Sequence, residues 1–182
     1  MRGAPARVAL ARAAAALALL AAPLAPAAAQ RDAVSQGLTA RTAAMRLVEV
    51  GTWRFAANAT DRRGRPLCRE VWRFAADGKA RVESGRERRT RRWRTLPGPG
   101  GLVRLAWQSI ASNGAPDCTG TASDPAALPG PEQDFVLLFL NDGSALACTP
   151  PPAAANPDNS LASAQLVRAA DCWGRIAPAP QG

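Results

Sequence analysis

The chain has 182 residues, with 23 Lys and Arg against 14 Asp and Glu, four Cys, and neither His nor Tyr. Without His or Tyr the commonest general bases are missing, and no Cys pair shows C-x-x-C spacing, so a His-dependent hydrolase, a zinc centre or a bound cofactor is not expected. The formal charge of +9 favours anionic partners or surfaces. Lys79 is the only Lys, and a composition this rich in Arg, Ala, Pro and Gly reads as the codon usage of a GC-rich bacterial genome rather than as a nucleic-acid patch.

Residues 1–29 carry the pattern of a cleavable secretory signal peptide. Arg2, Arg7 and Arg12 precede an apolar run from Ala13 to Ala22, and Ala27, Ala28 and Ala29 supply small residues at a cut before Gln30. The run is too short and too Ala-rich to favour a membrane span, and no span is expected in the mature form; an uncleaved anchor helix is the rival reading. No Cys near the cut offers a lipoprotein anchor. Removing 29 of the 182 residues leaves 153, and the leader's three Arg take the charge to +6. That is enough chain for one domain, expected as a monomer in the bacterial periplasm or outside the cell.

Residues 30–48 are Ala-rich, with Val34, Leu38, Ala44, Met45 and Val48 at loosely helical spacing, and predict a short helix or irregular lead-in. From residue 49 to 175 the period changes to two. Trp53 and Phe55, Trp72 and Phe74, Val82, and then Val103, Leu105 and Trp107 alternate with more polar neighbours, as strands that bury one face do. Turn signals separate them: Arg63-Gly64-Arg65-Pro66, Asp77-Gly78, Ser84-Gly85, Pro97 to Gly101, Asn113-Gly114 and Asp142-Gly143. Phe135 to Leu140 is apolar throughout, which suits a strand buried on both sides or one that contacts a hydrophobic partner. Ser144 to Cys148 would be its hairpin mate. After a Pro-rich loop, Leu161 to Trp173 reads as helix or strand, and residues 176–182 as a flexible tail. The sum is an all-β fold: a single antiparallel barrel or sandwich of about seven or eight strands with a short N-terminal helix.

An even number of Cys in an exported chain predicts two structural disulfides among Cys68, Cys118, Cys148 and Cys172. Of the three pairings, Cys118 with Cys148 and Cys68 with Cys172 are favoured, the first because both follow turn-like segments and the second because it would tie the C-terminal end to an early strand.

Gly51-Thr52-Trp53, a G-x-W on the first strand after a short helix and ahead of successive hairpins, resembles the lipocalins and related calycin barrels. The resemblance implies a first-strand Trp that plugs the closed end, an Arg near the chain's end packed over it (Arg175, beside Trp173), and a small, mostly apolar ligand held in a cup. The run Gly51-Thr52-Trp53-Arg54 is also similar to that of small bacterial periplasmic protease inhibitors, which are eight-stranded barrels too.

The densest charged feature is Arg86 to Arg94, six Arg against Glu87. If Trp93 points inward, period two sends Arg89 and Arg91 inward and Arg88, Arg92 and Arg94 outward. An inward Arg needs an acid, an anion or water, and Glu70, in phase with Trp72 and Phe74, is the acid expected to meet them. The run is read either as a solvated strand whose Arg stems cover apolar surface or as an anion site for phosphate, a lipid headgroup or carboxylate, built from Arg89, Arg91, Glu70 and Trp93. The aromatics Trp53, Phe55, Trp72, Phe74 and Trp107 are expected in the core. Glu70, Asp77, Glu83, Glu87, Asp117, Asp134 and Asp142 mostly lie in or beside turns, and no spacing forces two together for catalysis. The expected function is therefore an exported, non-enzymatic binding protein for a small or lipid-like anionic ligand. Its rivals are an interaction module, such as a protease inhibitor or envelope-associated factor working through loops or an exposed edge, and a carboxylate-dependent hydrolase.

Overall fold

The computed structural model describes residues 38–98, 101–150 and 171–180, so the leader, residues 161–170 and most of the Pro-rich loop lie outside the described residues. One helix, α1 (Ala40–Val50), precedes eight strands: β1 (Thr52–Ala57), β2 (Arg69–Phe74), β3 (Lys79–Ser84), β4 (Glu87–Pro97), β5 (Val103–Ser112), β6 (Glu132–Phe139), β7 (Ala145–Cys148) and β8 (Cys172–Pro178). Each strand pairs antiparallel with the next, and β8 returns to β1, closing the barrel.

The helix starts where Thr39 Oγ1 accepts from the Thr42 N–H at 3.1 Å and stops at Gly51, whose φ of 69° favours glycine. Its buried positions are Ala43 and Leu47, one turn apart. The phase read from Ala44, Met45 and Val48 is therefore corrected: Met45 is 62% exposed, and the helix runs two residues beyond the expected lead-in. Trp53 then turns back, its Nε1–H donating to the Leu47 carbonyl at 3.1 Å, while Thr95 Oγ1 donates to the Ala40 carbonyl at 2.7 Å. The Gly51-Thr52-Trp53 motif thus ends the helix and fastens it to the barrel, and α1 plugs the end formed by the start of β1 and the end of β4.

The barrel interior holds every aromatic expected there, Trp53, Phe55, Trp72, Phe74 and Trp107, together with Leu105, Leu137, Phe139 and Ile176. From Phe135 onward strand β6 is buried on both faces. Phe135, Leu137 and Phe139 belong to the interior cluster, while Val136 and Leu138 pack in a second cluster with Leu102, Cys148 and Cys172.

Three expectations on the C-terminal half are corrected. The disulfides are Cys68–Cys118 and Cys148–Cys172. Sheet register decides the second, because Cys148 and Cys172 are direct partners across β7 and β8; the first arises because the loop after β5 folds back beside the chain leading into β2. The tail is also shorter than read: Phe55 pairs with Ile176 and Trp53 with Pro178, and Ile176 is fully buried. Without those residues β1 would present an unpaired edge. Finally, Arg175 stands on the outer face, where its Nε–H donates to Ser144 Oγ at 2.9 Å and its Nη2 meets Asp142, rather than over the inward-facing Trp53. No helix among the described residues is long and apolar enough to cross a membrane. Two disulfides fit an oxidising, extracellular compartment.

Candidate binding cup at the open end of the barrel

Opposite α1 the barrel opens into a cup of about 460 Å³. Its apolar wall is a closed circuit of rings. Phe55 stacks on Trp72 at 5.0 Å, Trp72 meets Trp107 edge-on at 4.7 Å, and Trp107 meets Phe135 at 5.0 Å. Trp173 then joins Phe135 back to Phe55, with both centroids 5.2 Å away. Strand alternation accounts for the first four. Trp173 enters through a bulge: Ala147 pairs with Gly174 and Cys148 with Cys172, so Trp173 is the extra residue on β8 and swings to the inner side. Gly174 makes this possible by close approach, since a Cβ there would lie 2.0 Å from Phe55 Cε2.

Polar groups enter from three strands. Arg91 of β4 lays its guanidinium over the Trp107 ring at 4.0 Å, and its Nη1 is 3.4 Å from Gln133 Oε1 on β6. Its Nε is buried and has no acceptor among the described residues. Burial and the neighbouring Arg89 charge lower the Arg91 pKa to about 10, against the pull of Glu70 and Glu87, so it remains a cation at neutral pH. Glu70 of β2 takes the Trp72 Nε1–H on Oε2 at 2.6 Å. Its Oε1 lies 3.7 and 3.8 Å from the sulfurs of the Cys68–Cys118 disulfide, which carry no proton to give.

Arg89 is held differently. Glu87, 3% exposed, accepts from Arg89 Nε at 3.1 Å and Nη2 at 2.6 Å and from Ser112 Oγ at 2.8 Å, and Arg89 Nη2 also reaches Ser123 Oγ. Burial pushes the Glu87 carboxyl up, but hydrogen bonds from Arg89, Ser112 and Ser123 and the Arg89 charge outweigh it and hold the group below its ordinary value. A second bulge prepares this knot. Thr90 pairs with Ala111 and Arg91 with Ser109, so Ile110 is extra on β5, and Ser112 rather than Ala111 faces inward beside Glu87. The knot fastens the β5–β6 loop to the start of β4, with help from Pro116, whose carbonyl accepts the Arg86 and Glu87 N–H groups at 3.0 and 3.1 Å.

Of the four residues expected at an anion site, the structure brings Arg91 and Glu70 to the cup. Arg89 is instead neutralised by Glu87, which corrects the expectation that Glu70 would be its acid. Trp93 is at the plugged end, its ring edge-on to Phe74 at 5.0 Å and its Nε1–H on the Lys79 carbonyl at 3.0 Å. Arg88, Arg92 and Arg94 point outward as the period requires; Arg88 and Arg94 meet Glu83 and Glu132. Sequence reasoning missed Trp173 and Gln133 as wall residues and Glu87 as the acid that matters to Arg89. Glu87 shares the parity of Arg89 and Trp93, a signal that was present in the run itself.

No family model, curated protein or solved structure matches the chain.

Proposed function

We propose that the mature chain is an exported, non-enzymatic binding protein that holds a small organic anion in the cup, its charge on Arg91 and its apolar body against the aromatic circuit. The observation that carries this reading is the Arg91 guanidinium, which lines an aromatic-walled cup with no carboxylate within ion-pair distance among the described residues, while Arg89 two residues away is paired with Glu87. An ionised group in such surroundings is costly unless something completes its hydrogen bonds. Guanidinium is suited to the task by its planar fork of donors. The volume falls within the roughly 300–1,000 Å³ usual for small-molecule sites. Below the cup the barrel is filled by Trp53, Phe74, Leu105, Leu137 and Phe139, which favours a compact ligand over a long acyl chain. The lipocalin resemblance at Gly51-Thr52-Trp53, the signal-peptide pattern of residues 1–29 and the two disulfides support the same reading and a periplasmic or secreted location. The interaction-module alternative draws less support, because the closed circuit of strands has no free edge and the Phe135–Leu140 stretch is buried on both faces.

The test is native mass spectrometry of the protein purified from the periplasm under non-reducing conditions. A single-chain mass carrying a small anion that is absent from Arg91→Met supports the proposal. A bare mass for both proteins, with no small carboxylate or phosphate ester retained after incubation, overturns it.

A further inference from the structure

The cup holds two opposite charges that the fold keeps apart. Among the described residues Arg91 has no carboxylate within ion-pair distance, and Glu70 Oε1 has only disulfide sulfurs within reach, so one group wants an anion and the other a donor. Both line the same space, and Glu70 is close enough for its charge to be felt at Arg91 although the two form no ion pair. Among the described residues the other charges nearby are matched: Arg89 by Glu87, and Asp134 at the rim by Arg104.

Resting on the reading of the cup as a ligand site, we propose that its ligand is a zwitterion, a free α-amino acid with an aromatic side chain. The carboxylate is taken by Arg91 with the Gln133 amide beside it, the ammonium by Glu70, and the side chain by the ring circuit. The wall charges decide between ligand classes. A simple carboxylate completes Arg91 but leaves Glu70 without a donor and adds a second anion near it. A phosphate ester worsens that repulsion. An amine without a carboxylate completes Glu70 and brings a second cation toward Arg91. Only a ligand with both ends satisfies both walls while the cup stays neutral, which matters where a charge withdrawn from water against aromatic rings is expensive to leave unmatched. Both ends are charged, so each makes the stronger, charge-assisted kind of hydrogen bond.

The experiment is isothermal titration calorimetry of the disulfide-intact protein at pH 7 with three probes of one carbon skeleton: L-phenylalanine, 3-phenylpropionate, which lacks the ammonium, and phenethylamine, which lacks the carboxylate. L-Phenylalanine is expected to bind at least tenfold more tightly than either. Glu70→Gln is expected to weaken L-phenylalanine at least tenfold without weakening 3-phenylpropionate, and Arg91→Met to weaken both. If 3-phenylpropionate binds the wild-type protein as tightly as L-phenylalanine, the zwitterion is refuted and the anion cup stands. If phenethylamine binds most tightly, or if none of the three binds, the zwitterion is refuted; the anion reading falls with it only when native mass spectrometry also shows no small carboxylate or phosphate ester retained. The three-probe comparison uses the unaltered protein, so it holds even if a variant folds poorly.

Discussion

Replacing Glu87 by Gln keeps the shape of the knot at the mouth and removes only its charge. Two hydrogen bonds from Arg89 then pass from charge-assisted to neutral acceptors, a loss of about 1 to 1.5 kcal/mol each, so the protein is expected to lose about 2 to 3 kcal/mol. Glu87→Ala, which leaves the guanidinium unpaired, is expected to lose about 3 to 5 kcal/mol. The assay is urea unfolding with both disulfides intact, followed by tryptophan fluorescence from pH 7 to pH 3. The folded state holds this carboxyl below its ordinary value of 4.5. Its contribution is therefore complete above that value and fades as the pH falls through the lower, folded-state one. The gap between wild type and Glu87→Gln should be widest at neutral pH and narrow below about pH 4.5. A gap that is constant across the range, or absent at pH 7, would refute the reasoning. A double-mutant cycle with Arg89→Met assigns the energy to the pair.

Gly174→Ala places a methyl group 2.0 Å from Phe55 and is expected to cost about 3 kcal/mol or more, read as a lowered midpoint in the same urea titration. Non-reducing peptide mapping should recover Cys68 joined to Cys118 and Cys148 to Cys172; with separations of 50 and 24 residues, removing each pair is expected to cost about 4 and about 3.5 kcal/mol respectively. Arg91→Met, by contrast, should leave the ligand-free protein as stable as before or raise its stability by about 1 kcal/mol, since relief of a buried charge with an unpaired Nε offsets the lost contacts to Trp107 and Gln133. A loss above about 2 kcal/mol would make Arg91 a structural residue.

The barrel was legible because its strands bury one face and its turns are made by Asp-Gly and Ser-Gly pairs. Glycines 78, 85 and 143 all take positive φ where the sequence puts hairpins. Parity along β4 was equally readable, since that strand runs without an inserted residue. What period two cannot carry is an insertion: the extra residues Ile110 and Trp173 reverse the faces that follow, and with them the inward placement of Ser112 and Trp173. Nor does parity give position along the barrel axis. Trp93 shares the face of Arg89 and Arg91, yet four residues beyond Arg89, about 13 Å along the strand, it belongs to the opposite end. The disulfides depend on which strand ends become neighbours, so they too waited on register.

The chain enters the barrel through α1 and leaves it at Pro178, opposite Trp53, so both ends of the fold emerge on the plugged side. A tether joined beyond either point, whether a linker, a resin or a bilayer anchor, would attach on the side of the barrel away from the mouth. An immobilised sensor made from this barrel can thus be fixed through either terminus without choosing between attachment and access.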